Sequence, residues 1–395
     1  MFHLLLAIIY LSFISLGLPD ALLGAAWPTM YQEFQVPVSY AGAISMIISC
    51  GTIFSSLQSD RLTKRFGPGK ITAASVALTS IALFGFSISH SYWMLCLWAI
   101  PYGLGAGSVD ASLNNYVALH YESHHMSWLH CMWGLGASIG PYIMSYALTG
   151  GMGWNAGYGY ISIMQAVLTA IILFSLPIWK NRPDTIENTG NTDSQTASAP
   201  AKALTIPQIL AIPGAKAVLI MFFCYCALES TAGLWASSFL VLYHHLDAET
   251  AASFASLFYI GITVGRGING FIAMKLNDTQ MIRMGQTIIA IGIVLMLLPF
   301  GEITALIGLV TIGLGCAPVY PCVIHSTPER FGPERSQALI GVQMACAYVG
   351  SLSMPPIFGL IANHISAALY PVYLLLILAL MFIMHEKLIK QTTHS

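Results

Sequence analysis

Four charged residues stand isolated inside long apolar runs: Asp20, Asp110, Glu229 and Arg266. Placing such a charge in a bilayer costs about 2.5–3.5 kcal/mol, and residues that persist there usually mark an ion or solute path. A carboxyl in that setting can take up and release a proton, because burial favours its neutral form and a change of access reverses the bias. Asp20 falls about 17 residues into the first apolar run and Asp110 about 10 residues from the end of the fourth, so about 25 Å and 15 Å deep at 1.5 Å per residue. Two carboxyls at different depths suit a proton relay; the competing reading is a pair of acids that bond to neighbouring helices and fix packing. Glu229 has three roles open to it: binding a solute hydroxyl, joining the coupling, or pairing with Arg266. Arg266 lies in Gly265-Arg266-Gly267-x-x-Gly270, whose small residues permit close helix approach. That setting favours a structural or gating charge over solute contact.

Neutral polar groups lie near these charges. Asn114 follows Asp110 by one helical turn and shares its face, with Asn115 beside it. Together with His130, Gln343 and the indoles of Trp133 and Trp235, they can offer a sugar hydrogen bonds and a stacking surface. Aromatics in membrane helices also serve as packing or interfacial residues, so the two uses compete. His120 and His124 have the spacing of a metal pair but lack further ligands, and read as surface residues of a loop. The eight cysteines sit in apolar stretches without a CxxC pair and read as small fillers. No HExxH, GxSxG or Walker A pattern is present, so neither an enzyme nor an ATP-driven pump is supported, and no metal or cofactor is expected.

The elements that position these groups follow from composition. Only 31 of 395 residues are Asp, Glu, Lys or Arg, while hydrophobic residues make up 56% and mean hydropathy is +0.72. A soluble fold of this length could not cover its surface with so few charges. The near balance of 15 basic and 16 acidic residues also argues against a nucleic-acid partner. The chain reads as an all-α membrane protein that meets lipid along its flanks. At about 20 apolar residues per span, turn and charge punctuation places helices near 3–26, 38–59, 70–89, 92–119, 127–150 and 155–180. A second set falls near 215–242, 250–275, 280–298, 302–326, 335–362 and 366–386. The first run lacks a basic start and a cleavage site, and reads as a span rather than a removed signal peptide.

Lys and Arg fix the orientation. They gather in alternate loops, among them Arg61, Lys64, Arg65 and Lys70, then Lys275 and Arg283, then Arg330 and Arg335. The loops on the opposite side have none, so both termini are expected in the cytoplasm of a cell whose plasma membrane the chain crosses. Residues 181–203, rich in Asn, Thr, Ser and Ala, read as a flexible stretch. The expected organisation is therefore 1–180 as one six-helix bundle, 181–214 as a cytoplasmic linker and 215–395 as a second bundle. The halves echo each other. Gly103-Leu-Gly105 recurs as Gly313-Leu-Gly315, Asp20 with Gly24 and Trp27 as Glu229 with Gly233 and Trp235, and Gly136 with Pro141 as Gly350 with Pro355. Nearly constant offsets predict two parallel repeats.

Six plus six helices, a central loop and parallel repeats resemble the major facilitator superfamily over essentially the whole chain. The stretch Ser56-Leu-Gln-Ser-Asp60-Arg61-Leu-Thr-Lys64-Arg65 is similar to its G-x-x-x-D-R-x-G-R-R signature. Asp60, Arg61 and Arg65 are then expected to act in gating, as is Arg266. Ser56 and Thr63 stand where that signature has glycines, which predicts less close packing of helix 2. Three segments resemble the fucose-permease type of proton–sugar symporter and its sodium–glucose relatives: Asp20 in helix 1, Gly103-Leu-Gly-Ala-Gly-Ser-Val-Asp110-Ala-Ser-Leu-Asn114, and Trp128-Leu-His130-Cys-Met-Trp133-Gly-Leu-Gly136-Ala. That family carries acids in helices 1 and 4, the second usually Glu where Asp110 stands. It has amides where His130 and Trp133 stand.

The resemblance implies a monomeric secondary transporter that moves a small polar solute, a sugar, by alternating access. Protons would drive it through Asp20 and Asp110, with sodium as the other coupling ion; Glu229 is assigned to coupling with them as the repeat counterpart of Asp20. A drug or metabolite efflux antiporter is the alternative, since Gly136-x-x-x-Gly140-Pro141 partly matches G-x-x-x-G-P-x-x-G-G, with Met144 and Ser145 at the last two glycines. A sensor or membrane enzyme is a more distant one, because soluble domains and nucleophile motifs are missing.

Overall fold

The computed structural model describes residues 2–20, 22–36, 40–180, 204–246, 248–298 and 300–392, and among them there are helices and no strands. The first series is α1 (Phe2–Gly17), α2 (Leu22–Glu33), α3 (Ala41–Phe66), α4 (Pro68–Ser87), α5 (Tyr92–His120), α6 (Ser123–Thr149) and α7 (Gly153–Lys180). After a short α8 (Ile206–Ala211) come α9 (Ala215–His244), α10 (Ala248–Ile272), α11 (Asp278–Leu297), α12 (Glu302–Phe331), α13 (Pro333–His364) and α14 (Tyr370–Thr392). Nine segments among the described residues are long and apolar enough to cross a membrane, the first of them, Leu4–Trp27, taking in most of α1 and part of α2. Of the remaining expected spans, α5 and α6 are diluted by Gly, Ser, Asn and His, and the apolar part of α10 is the shorter Leu257–Ile272. Large side chains such as Phe174, Tyr142 and Trp93 are 87%, 77% and 75% exposed, which suits lipid and not water.

Two of the expected helix bounds need correction. The first span is not one helix over 3–26. Proline lacks the amide hydrogen that continues a helix and its ring clashes with the preceding turn, so α1 ends before Pro19. The chain then turns through Leu18–Asp20, with Asp20 N donating to Gly17 O at 3.2 Å and Leu22 N to Pro19 O at 3.1 Å. The second helix, expected to stop at 59, continues to Phe66. Asp60 therefore lies within α3, paired with Lys64 one turn on at 3.0 Å. Of the expected linker 181–214, residues 181–203 lie outside the described residues, and Ile206–Ala211 is helical.

The chain divides into two compact units, Met1–Tyr116 with Met132–Thr205, and Val117–Cys131 with Ile206–Ser395. In the first, α5 lies against α3 at Gly103 and Gly107, where a Cβ would run into the Ile48 and Thr52 carbonyls. Ser56 Oγ donates to Gly107 O at 3.2 Å, and Thr63 Oγ1 donates to Ser112 Oγ at 3.3 Å. The looser packing expected from Ser56 and Thr63 is thus absent: the small residues stand on α5, and the hydroxyls bond across the contact. The second unit repeats the arrangement, with Gly313 of α12 against the Phe258 carbonyl of α10. Gly136 of α6 meets the Ile14 carbonyl of α1 as Gly350 of α13 meets the Phe223 carbonyl of α9. The sequence echo is thus an echo of helix contacts.

The α5–α6 turn belongs to the second unit. Ser123 Oγ donates to Asp278 Oδ1, and His325 joins Asp278 Oδ2 at 2.6 Å and the Tyr121 carbonyl at 3.0 Å. His124 is not on a surface loop as expected. It lies in the first turn of α6, with its ring 4.0 Å from that of His125 and 5.0 Å from that of Trp128. Among the described residues no group of three or more His, Cys, Asp or Glu gathers as a metal site would.

Candidate functional site

The Pro19 break puts Asp20 at the junction of two half-helices, where its side chain is open to a cavity of about 160 Å³ in the first unit. Trp133 Nε1 donates to Asp20 Oδ2 at 2.9 Å and Tyr102 OH donates to Asp20 Oδ1 at 3.3 Å. Close approach of α1 and α6 makes the first bond reachable. Gly17 lies on the Trp133 carbonyl, and Gly136 and Gly140 lie on the Ile14 and Leu18 carbonyls, with no room for a Cβ at any of the three. The glycines of the partial antiporter pattern thus act in this helix contact. Ser45 and Ser49 of α3, Phe86 of α4 and Tyr158 of α7 also line the cavity. None of its lining residues is Lys, Arg or His. The cavity thus adjoins a carboxylate held by neutral donors.

Asp110 lies one turn before Asn114, which donates from Nδ2 to both Asp110 Oδ1 at 2.8 Å and its carbonyl at 2.9 Å. Asn114 and Asn115 are buried, at 0% and 6% exposure, while Asp110 is half-buried. The spacing argument for a shared face is realised as a direct bond.

In the second unit, Glu229 of the unbroken α9 accepts from Arg266 Nη2 of α10 at 3.3 Å. The guanidinium is buried, with its side chain 6% exposed against 23% for Glu229. Gly265 lets α10 reach α12, where a Cβ would press on Ala317, whereas a Cβ at Gly267 would meet nothing within 4 Å. The other expected solute ligands are placed separately. His130 is buried edge-on to Tyr320, with centroids 4.6 Å apart. Trp235 Nε1 donates to Pro355 O at 2.8 Å. Gln343 is fully buried and bonds Thr327 at 3.2 Å. Arg61 and Arg65 are exposed near the end of α3, with Arg65 over the Phe66 ring at 5.2 Å.

Of the residues singled out in the sequence, the structure joins Asp20 with Trp133, Asp110 with Asn114, and Glu229 with Arg266. Sequence reasoning missed Tyr102, Tyr158, Ser45, Ser49 and Phe86. The signals were weak: Tyr102 lies eight residues before Asp110 on the same helix, and Tyr158 is flanked by Gly157 and Gly159.

The family model of the Major Facilitator Superfamily matches residues 9–355 and again 218–393. The yeast (Saccharomyces cerevisiae) "Bypass of stop codon protein 6" is 22% identical over 93% of this chain and 79% of its own length. The 4-hydroxybenzoate transporter PcaK of Pseudomonas putida is 24% identical over 87% of this chain and 83% of its own. Among solved structures, the E. coli fucose:proton symporter FucP aligns over 97% of this chain and 98% of its own, with a TM-score of 0.72 and 15% identity. All-helical architecture, repeated helix contacts and a match across nearly the whole length lead to one assignment: the chain is a multi-pass membrane transporter and belongs to the Major Facilitator Superfamily.

Proposed function

We propose that this transporter moves a small neutral polar solute, a sugar, across the cell membrane by alternating access coupled to protons. The observation that carries the reading is Asp20: a carboxyl at a helix break, open to a cavity, held by an indole and a phenol and, among the described residues, by no cation. Discontinuous membrane helices are where transporters of this kind place solute and ion sites. A carboxyl with neutral partners can be neutralised by a proton without leaving an opposite charge stranded. Asp110, on α5 of the same unit and bonded to Asn114, is the second coupling acid. Two of the transporters that the chain is similar to are named for fucose and 4-hydroxybenzoate. An aromatic acid would meet Asp20 with no lining Lys, Arg or His to offset its charge, and this favours the sugar.

Uphill transport requires proton and solute to bias one conformational equilibrium, each through differential binding. In this reading protonated Asp20 lowers the cost of closing the helices around bound solute. Asp60, Arg61 and Arg65 act in gating on the cytoplasmic side, where both termini and the 181–214 linker lie. A cysteine at Ser194 should then resist an impermeant label in intact cells; labelling there sinks the orientation. Thermal stabilisation of purified protein is the direct test of the solute class. The expected result is a rise in Tm with one or more monosaccharides and none with 4-hydroxybenzoate or a panel of drugs. Stabilisation by the drugs alone would replace the sugar reading with efflux.

A further inference from the structure

Helix α3 puts its hydroxyls to two uses. Toward its C-terminal end they bond within the protein. Thr52 Oγ1 donates to Ile48 O at 2.9 Å, Ser55 Oγ to Leu104 O at 2.5 Å, Ser56 Oγ to Gly107 O at 3.2 Å and Thr63 Oγ1 to Ser112 Oγ at 3.3 Å. Ser45 and Ser49 stand one turn apart nearer the start of the helix, and both line the Asp20 cavity. Among the described residues neither has a hydrogen-bond partner.

Exposed hydroxyls on the other helices do not stay unbonded. Ser138, Thr263, Thr311 and Ser353 each donate to the carbonyl four residues back. Lipid offers a hydroxyl no partner, so a side chain that meets lipid closes this bond to its own helix. Ser45, which is exposed, and Ser49, which is half-buried, leave that bond unmade. With Ile48 they occupy positions i, i+3 and i+4, a single stripe of α3, and the whole stripe lines the cavity. Alanine is a better helix former at both places. Neither the helix nor its packing therefore accounts for the two oxygens, and a polar occupant of the cavity does.

We propose that Ser45 and Ser49 are solute-binding residues, each bonding a different hydroxyl of a sugar seated in the Asp20 cavity. Together they set which two sugar hydroxyls the transporter requires. The inference rests on the sugar reading above and adds to it two named contacts and a rule of selectivity. A serine hydroxyl donates and accepts, as each sugar hydroxyl does, so the match needs no charge on the solute. Side chains four residues apart on a helix stand about 5–6 Å apart at Cβ, a span suited to two hydroxyls of one ring. Asp20, held by its indole and phenol, stays free to take the proton.

The experiment measures binding of D-galactose, D-glucose, L-fucose and their monodeoxy analogues to purified full-length protein, by calorimetry and thermal shift. Ser45→Ala and Ser49→Ala should each unfold at or above the wild-type Tm. Each should weaken the best-bound sugar about five- to tenfold, the loss expected for one neutral hydrogen bond. Two monodeoxy analogues should bind wild type weaker by a similar factor. Ser45→Ala should bind one of them as well as its parent sugar, and Ser49→Ala the other. Thr52→Val is the control, since that hydroxyl already bonds its own helix, and it should keep wild-type affinity. Unchanged affinity in either alanine variant overturns the inference and leaves the sugar reading standing. So does a lowered Tm, which would make the hydroxyls structural, or an equal loss in Thr52→Val. The same holds if both alanine variants erase discrimination against one and the same analogue. A wild type that binds none of the sugars overturns the sugar reading itself, and the inference with it.

Discussion

Asp20 and Glu229 hold equivalent places in the two repeats, about 209 residues apart, yet their surroundings differ in kind. Asp20 lies at a break between α1 and α2, open to a cavity, and accepts from an indole and a phenol. Glu229 lies in unbroken α9 and accepts from a buried guanidinium. The difference has two local causes. Pro19 interrupts the first helix, and no proline stands beside Glu229. Arg266 faces Glu229, and among the described residues of the first unit no such partner faces Asp20. Neighbouring echoes diverge as well, since Gly24 opens onto empty space while a Cβ at Gly233 would meet the Tyr259 hydroxyl. In the proposed reading, equivalent positions thus hold a carboxyl that changes charge and a carboxyl that balances one. A guanidinium does not deprotonate under biological conditions, so protonating Glu229 would strand a buried cation, whereas protonating Asp20 strands nothing.

The comparison breaks most visibly at Asp20. An amide imitates the protonated acid but cannot release a proton, so Asp20→Asn should abolish sugar accumulation driven by a pH gradient in proteoliposomes. Counterflow without a gradient should persist in Asp20→Asn or in Asp110→Asn. If both variants accumulate solute like the wild type, the acids are structural and the contrast with Glu229 loses its meaning.

The ion pair should respond in stability, and unequally. Removing one partner of a buried pair costs about 3–5 kcal/mol, because the remaining charge is left unpaired. Glu229→Gln strands a guanidinium whose side chain is only 6% exposed and which cannot lose its charge. Arg266→Met leaves a carboxyl that is 23% exposed and able to accept a proton. Glu229→Gln should therefore lower Tm more than Arg266→Met, and the double variant should recover much of the loss. Equal losses, or additive ones, would show that the two side chains do not act as a pair.

Within the Asp20 site the two donors should differ. A hydrogen bond to a carboxylate contributes about 1.5–3 kcal/mol when well made and weakens with length. Trp133→Phe removes the 2.9 Å bond and should slow gradient-driven uptake about tenfold on that scale. Tyr102→Phe removes the 3.3 Å bond and should cost less. The reverse order would place the carboxylate's principal support on α5 instead of α6.

How much of this was legible in the sequence depends on how far each signal travels along the chain. Asp20, Asp110, Glu229 and Arg266 were visible because a charge in an apolar run is rare and needs a reason. Asn114 was visible because a partner four residues away is a local property of a helix. The repeat was visible in Gly103 and Gly313 because both meet a neighbouring backbone and admit no side chain. Packing at Ser56 was misread because closeness belongs to a pair of surfaces, and Gly107, on the other helix, is 51 residues away. The helix break was readable at Pro19 but lay hidden in an otherwise uniform apolar run. Tyr102 carried only a weak mark, since an aromatic ring suits any membrane helix and only the folded arrangement puts its hydroxyl on Asp20.

The smallest expected effect tests whether the Glu229–Arg266 geometry depends on close helix approach. Gly265 and Gly267 flank Arg266 and look alike in sequence. A Cβ at Gly265 would press on Ala317 and the Leu314 backbone of α12, while one at Gly267 would meet nothing. Overpacking of that kind costs about 1–3 kcal/mol, so Gly265→Ala should move α10 off α12 and lower Tm. Gly267→Ala should leave transport unchanged and raise Tm slightly, because alanine is favoured over glycine in a helix interior by up to about 1 kcal/mol. Thermal unfolding of both variants, with uptake measured beside it, separates the cases. If Gly267→Ala proves as harmful as Gly265→Ala, the glycines serve backbone flexibility around Arg266. The second acid's site would then be a moving part, closer in kind to the first than its ion pair suggests.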